Sequence, residues 1–204
     1  HLAARRAGPL GTADPTRLRI HTCPSCAEKG IEVRDVPGEQ FCPHCGAQVF
    51  PADCLRLWEE VNENQSNRGA LMRFMQDLEH LMALHYVRYL YENSLDDLAA
   101  TAFFLDRPLA VYGNSAWLHL AIMRYLSEVR TTLAQHGLAP PVLLGLQKTG
   151  LVADHVELIR PHLGTNRRFP IEDDYRLRYI TPAKERPTNG FGYETYYGQD
   201  FIFT

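Results

Sequence analysis

Cys23-Pro-Ser-Cys26 and Cys42-Pro-His-Cys45 are two Cys-x-x-Cys pairs with fifteen residues between them. Together they offer four thiolates, and Zn²⁺, borderline soft and without a geometric demand of its own, takes four thiolates as a tetrahedron. The proline in each pair favours a tight turn that presents both sulfurs. The spacing predicts a structural zinc ribbon, and because four thiolates leave no open coordination position, any catalysis must come from elsewhere in the chain.

Carboxylates are the next residues whose positions suggest chemistry. Glu79 is flanked at helical spacing by Met72, Met75, Met82 and Tyr86, so a helix here carries the acid on an apolar stripe and turns it toward the core. A carboxylate so placed must be protonated, paired with a base or bound to a cation; the plainer alternative is an acid at the edge of the stripe beside an arginine. Asp106 closes the apolar run Thr101-Ala102-Phe103-Phe104-Leu105, and groups that act in open α/β sheets gather outside the carboxyl ends of strands. A turn-forming aspartate before Arg107-Pro108 is the alternative. The two acids together could hold a hard divalent cation, Mg²⁺ or Mn²⁺, with positions left for water and phosphate oxygens. Lys148, at the end of a second apolar run, could neutralise phosphate. Asp154 and His155 are weaker ligand candidates, His85 reads as a core histidine, and Tyr175, Tyr179, Tyr197 and Asp200 could line a groove where tyrosines stack on bases.

Elements must exist to position these groups. Residues 1–17 lack periodicity and read as a linker or the end of an upstream segment, residues 18–53 as the ribbon with a small hairpin over Ile31 to Phe41, and residues 54–204 as one α/β domain. Within that domain the pattern predicts a long amphipathic helix from Asn67 to about Tyr91, with Arg73, Gln76, Asp77, His80 and Arg88 on its polar side. A buried strand over Thr101–Leu105 follows, then a helix capped by Asn114 or Ser115 that stops near Gly137. Pro141 to Gln147 reads as a second buried strand, Val152 to Ile159 as a short helix, and Leu177–Ile180 and Tyr196–Phe203 as further strands. Alternating helices and strands favour a sheet with helices packed on its faces.

The composition narrows the function classes. Over 204 residues, 45% hydrophobic and 22% charged content is ordinary for a globular protein, and no apolar run is long enough to span a bilayer. Five cysteines, four in the paired motifs and Cys54 left over, suit a reducing compartment, with the cytoplasm as the expectation. A net charge of −3 argues against a global basic field, but Arg160, Arg167, Arg168, Arg176, Arg178, Lys184 and Arg186 make a local excess. Lys148, Arg167 and Arg168 are the expected contacts to nucleic acid. The start at His1 and the end in a strand-like segment read as those of a piece of a longer protein.

The order of Glu79 on a helix, Asp106 in Phe-Phe-Leu-Asp-Arg-Pro-Leu-Ala, then Leu-Leu-Gly-Leu-Gln-Lys-Thr-Gly and Asp-Asp-Tyr-Arg-Leu-Arg-Tyr-Ile, resembles the NurA nuclease family from about Leu55 to Thr204. The resemblance implies a ribonuclease H-like mixed sheet with packed helices, with the ribbon as an insertion. It also implies a metal-dependent DNA nuclease in which Glu79 and Asp106 hold Mn²⁺ or Mg²⁺, and a homodimer working beside a HerA-type hexameric ATPase in DNA repair or antiviral defence. Arg107 stands where the family has glycine, which changes the backbone freedom after the acid. A further metal-binding aspartate, on a first strand before the helix, has no counterpart here; Asp14, beside Pro15, is a poor candidate. The other readings are a non-catalytic zinc-ribbon adaptor that docks a DNA translocase, and a zinc-ribbon nucleic-acid binder.

Overall fold

The computed structural model describes residues 17–34, 38–61, 67–182 and 200–204. Its contacts divide the chain into two units, residues 1–105 with 110–144 and residues 106–109 with 145–204. No helix among the described residues is long and apolar enough to cross a membrane.

The first unit begins with two antiparallel hairpins. Strand β1 (Arg17–Thr22) pairs with β2 (Lys29–Arg34), and β3 (Gln40–Phe41) with β4 (Gln48–Val49). Each Cys-x-x-Cys is therefore the turn of its own hairpin, rather than the two flanking a shared one as the Ile31–Phe41 pattern suggested. A two-residue periodicity sends Ile31 and Val33 inward and Glu32 and Arg34 outward, so Ile20, Ile31, Val33 and Val49 form a small core with Cys23, Cys42 and Cys54. Trp117 packs against that core and donates its indole N–H to the Cys54 carbonyl at 3.0 Å.

Two 3₁₀ turns, Pro51–Leu55 and Leu57–Glu60, lead to helix α1 (Asn67–Asn93). Its orientation reverses the sequence expectation. The buried residues are Asp77, His80, Leu84 and Val87, on the side that reads as polar, whereas Leu71, Met75, Leu78, Met82 and Tyr89 are exposed. The reason lies in what the helix meets. Leu84 and Val87 pack with Leu98, Leu118, Ile122, Tyr125, Val129 and Leu133. One turn earlier, Asp77 Oδ1 accepts from Ser115 Oγ at 2.9 Å, and Gln76 Nε2 donates to the Ala110 carbonyl at 3.1 Å. His85, expected in the core, is exposed and lies edge-on to the Tyr86 ring.

The short helix α2 (Leu95–Ala99) is capped by Ser94, whose Oγ accepts from the Asp97 N–H. Strand β5 (Ala102–Leu105), helix α3 (Trp117–Gln135) and strand β6 (Val142–Gly145) follow, with β5 and β6 adjacent. The Val142 N–H bonds the Thr101 carbonyl at one end, and Gly145 lies against Arg107 and Leu109 at the other, so the two strands run the same way with a helical crossover. Both were expected to be buried, yet Phe104 and Val142 face outward. Helix α3 has no side-chain cap: its N-cap is Ala116, because the Ser115 hydroxyl is engaged by Asp77. It ends as expected at Gly137, whose φ of 72° is the left-handed conformation that closes a helix.

In the second unit, α4 (Leu151–Ile159) packs Val152, Val156 and Ile159 against Ile171, Ile180 and Ile202. Strand β7 (Arg168–Ile171) pairs antiparallel with β8 (Asp200–Phe203). Residues 177–180 are helical rather than the expected strand: α5 (Asp173–Tyr175) continues as a π-helix over Arg176–Ile180. Glu172, Asp173 and Asp174 put acids at its start, and wide π spacing places Ile180 inward while Tyr175 and Tyr179 stack together. The part of the Tyr196–Phe203 strand before Asp200 lies outside the described residues. All described strands fall into four two-stranded sheets, so the architecture is mixed helix and small sheets.

Burial pushes the Asp77 carboxyl above its ordinary value, opposed by the Ser115 hydrogen bond and by the charges of Arg73 and His80. Its second oxygen, Oδ2, has no hydrogen-bond partner. A raised folded-state value means that the penalty is absent below the ordinary aspartate range and grows as pH rises through and above it. Asp77→Asn keeps the acceptor for Ser115 and removes the charge. It should raise the melting temperature by a few degrees at neutral pH, with the gain disappearing below about pH 4 in thermal unfolding across pH.

Candidate functional site

The two cysteine turns are built alike. The Ala27 and Gly46 N–H groups bond the Cys23 and Cys42 carbonyls at 3.0 and 2.9 Å, and the Cys23 and Cys42 N–H groups bond Glu28 and Ala47 at 2.7 and 2.8 Å. Ala27 and Gly46 both take positive φ, 60° and 71°. These turns bring the four sulfurs within 4.8 Å of one another, with Cys23–Cys45 at 3.9 Å and Cys26–Cys42 at 3.8 Å. A tetrahedron with Zn–S bonds of about 2.3 Å has edges of about 3.8 Å, so the four sulfurs fit a metal such as zinc.

Their protonation points the same way. Burial acts to raise the Cys42 thiol, but backbone hydrogen bonds from Cys45 and His44 and the sulfurs of Cys23 and Cys45 outweigh it and bring it down to about 6. For Cys26 a backbone hydrogen bond from Glu28 acts downward, yet desolvation and the sulfurs of Cys45, Cys23 and Cys42 push it up to about 12. One thiolate forms readily, and the last proton is held because another negative charge would join the cluster. A dication removes that obstacle.

In the second unit, Asp106 forms an ion pair with Lys148 through Oδ1 and Nζ. The residues follow the carboxyl ends of β5 and β6 respectively. Both side chains are about two-thirds exposed, so the pair contributes little to stability and leaves the groups accessible. Gly145 makes the arrangement possible. A Cβ there would stand 2.5 Å from the Arg107 carbonyl oxygen and 2.7 Å from the Leu109 N–H nitrogen, so only glycine lets residues 106–109 cross the end of β6.

Glu79 belongs to the first unit and is half-buried, with Oε2 enclosed. The stripe on which it was expected to point inward is the exposed face of α1, so the acid sits at the margin of an outer surface. Glu79 and Asp106 lie in different units, and among the described residues the four cysteines are the only group of three or more potential metal ligands. Asp154 is in the first turn of α4. His155 Nε2 meets the Tyr175 hydroxyl at 2.8 Å, and Tyr175 also contacts the Phe169 and Tyr179 rings. Asp200 pairs with Arg176, which ties β8 to the π-helix. Arg167 and Arg168 are exposed, and the Arg168 guanidinium covers the Phe201 ring at 4.8 Å. Tyr197 lies outside the described residues.

Sequence reasoning missed Gly145, although a glycine inside an apolar strand run is itself a sign of close backbone approach. It also missed the buried group Asp77, His80, Ser115 and His119, for which the helical pattern gave a misleading signal. No protein-family model, curated protein or solved structure matches this chain.

Cys42→Ser should lower bound zinc from one equivalent per chain to well below one, with faster amide exchange across residues 20–49; metal analysis and hydrogen exchange read both. Gly145→Ala should destabilise the protein by about 2 kcal/mol through overpacking against residues 107 and 109. An unchanged melting temperature would contradict that contact.

Proposed function

We propose that this chain is a subunit of a divalent-metal-dependent DNA nuclease, with Asp106 and Glu79 as carboxylate ligands for Mn²⁺ or Mg²⁺ and Lys148 as the cation that meets the scissile phosphate. The observation carrying this reading is the Asp106–Lys148 pair beyond the carboxyl ends of two neighbouring strands that run the same way. A carboxylate and an amine held together and accessible are what a phosphodiester site requires of the protein: one oxygen donor for a hard cation and one positive charge for the non-bridging phosphate oxygens. When bound, the metal would supply Lewis-acid stabilisation of charge on the phosphate and orient the attacking water. In the absence of substrate, Lys148 occupies the carboxylate; phosphate would draw the amine away and leave Asp106 to the cation.

The finer reading follows the resemblance to NurA nucleases. A ribonuclease H-like arrangement would bring Glu79 to Asp106, a further aspartate from outside this chain's described residues would complete the ligand set, and the ribbon, held by structural Zn²⁺, would position DNA or a HerA-type hexameric ATPase. Arg167 and Arg168, both exposed, extend the cationic surface expected to track the DNA backbone. The reading places the reaction in the cytoplasm, in DNA end processing or defence.

A second reading is favoured by a different observation. The only cluster of three or more potential metal ligands among the described residues is the four-cysteine set, which has no open position, and Asp106 is already neutralised by Lys148. On that reading the chain is a zinc-ribbon adaptor that docks a DNA translocase without cutting.

Manganese titration followed by nuclease assay separates the two. The nuclease reading expects Mn²⁺-dependent cleavage of DNA that falls about 100-fold or more in Asp106→Asn, the loss of several kcal/mol of charge stabilisation, and a smaller fall in Lys148→Ala. Absence of cleavage together with no manganese bound beyond the zinc site would establish the adaptor.

A further inference from the structure

Helix α1 turns an apolar face outward over most of its length. Leu71, Met75, Leu78, Met82 and Tyr89 recur at spacings that average close to three and a half residues, with Phe74 and Tyr86 beside them, and all are exposed. At 1.5 Å per residue the stripe runs about 27 Å. Glu79, nearly a quarter-turn round from its centre, borders it. The opposite side, through Leu84 and Val87, is already committed to the core.

The two ends of the stripe differ in shape. At the amino-terminal end, Leu71 and Phe74 join Leu57, Trp58 and Val61 around an apolar hollow of about 540 Å³. At the carboxyl-terminal end, Tyr86 and Tyr89 project with 57% of each side chain exposed. Eight half-exposed large side chains, Met72 included, present on the order of 700–800 Å² of surface. That is the contribution one partner makes to a standard stable interface, whereas contiguous apolar patches on monomers seldom exceed a few hundred Å².

We infer that this face is closed by a second copy of the same chain, with the two α1 helices packed antiparallel about a two-fold axis near the middle of the stripe. Spacing of about three and a half residues is that of a helix whose knobs enter the holes of another helix. The hollow and the tyrosines decide the direction. An antiparallel pair sets Tyr86 and Tyr89 of each copy at the hollow of the other, satisfying both complementary features twice, as an isologous contact must. A parallel pair would leave hollow against hollow and tyrosine against tyrosine. The only ionised side chain near the middle of the stripe, Glu79, falls at the rim, where water still reaches it. The pairing rests on α1 and its neighbouring turns alone, and is independent of the nuclease reading.

Sedimentation and light scattering of the 204-residue chain at micromolar concentration should give twice the 23.2 kDa monomer mass. Leu78→Glu combined with Met82→Glu should weaken association by about 100-fold or more, because two charges are buried at the centre of the contact, while helical circular dichroism stays unchanged. Mixing chains carrying Leu71→Cys with chains carrying Tyr89→Cys should yield the mixed disulfide under mild oxidation. A monomeric wild-type chain overturns the inference, as does a dimer indifferent to the double substitution. Leu71→Cys chains that cross-link to themselves instead overturn the antiparallel arrangement.

Discussion

The rotation of α1 about its own axis is the constraint on which the rest of the first unit depends. A helix has one side to give to the core, and here Leu84 and Val87 fix that side by packing among the residues of α3 and Leu98. Their hold extends two turns toward the amino terminus, where the same side carries Gln76, Asp77 and His80. Those polar groups enter the interior because apolar packing farther along outweighs their desolvation, and because the Ser115 hydroxyl and Ala110 carbonyl receive them. Once this rotation is set, the methionines and tyrosines on the far side have no internal partner.

Ser115 shows how one bond can redistribute several roles. Its hydroxyl, a natural helix cap, is turned to Asp77, so α3 starts from Ala116 without a side-chain acceptor. The start of α3 is thereby tied to α1 rather than to its own backbone. Trp117, two residues on, reaches the Cys54 carbonyl, so the same short segment also joins the ribbon to the helices. The ribbon has few core residues of its own, and a cross-link through four sulfurs compensates for the small apolar area it buries.

The Asp106–Lys148 pair depends on backbone economy at the ends of two strands. Residues 106–109 must pass over β6 at a distance that no side chain on residue 145 would allow. That crossing brings a carboxylate from one strand end to an amine from the next, in a position open to a phosphate. The chemistry proposed for the chain is thus carried by two exposed side chains, while the strictest steric demand falls on a glycine that carries no functional group.

The amino-acid sequence by itself determined what is local. Cys-x-x-Cys spacing depends only on turns of four or five residues, so the four-sulfur cluster was legible before any fold was known. The existence of α1, α3 and α4, the two strands before Asp106 and Lys148, and the helix stop at Gly137 were legible for the same reason: each follows from periodicity or a φ preference within one segment. Tertiary structure alone decided which side of α1 is inside, since the helical pattern marks two faces but not which one its neighbours claim. It also decided the fate of Leu177–Ile180, where the hydrophobic spacing fits a strand and the acids of residues 172–174 and the demand for Ile180 in the core select a π-helix. The need for glycine at position 145 arises from a chain crossing nearly forty residues away in sequence. No local preference encodes such a contact, because its energy exists only once both segments are folded against each other.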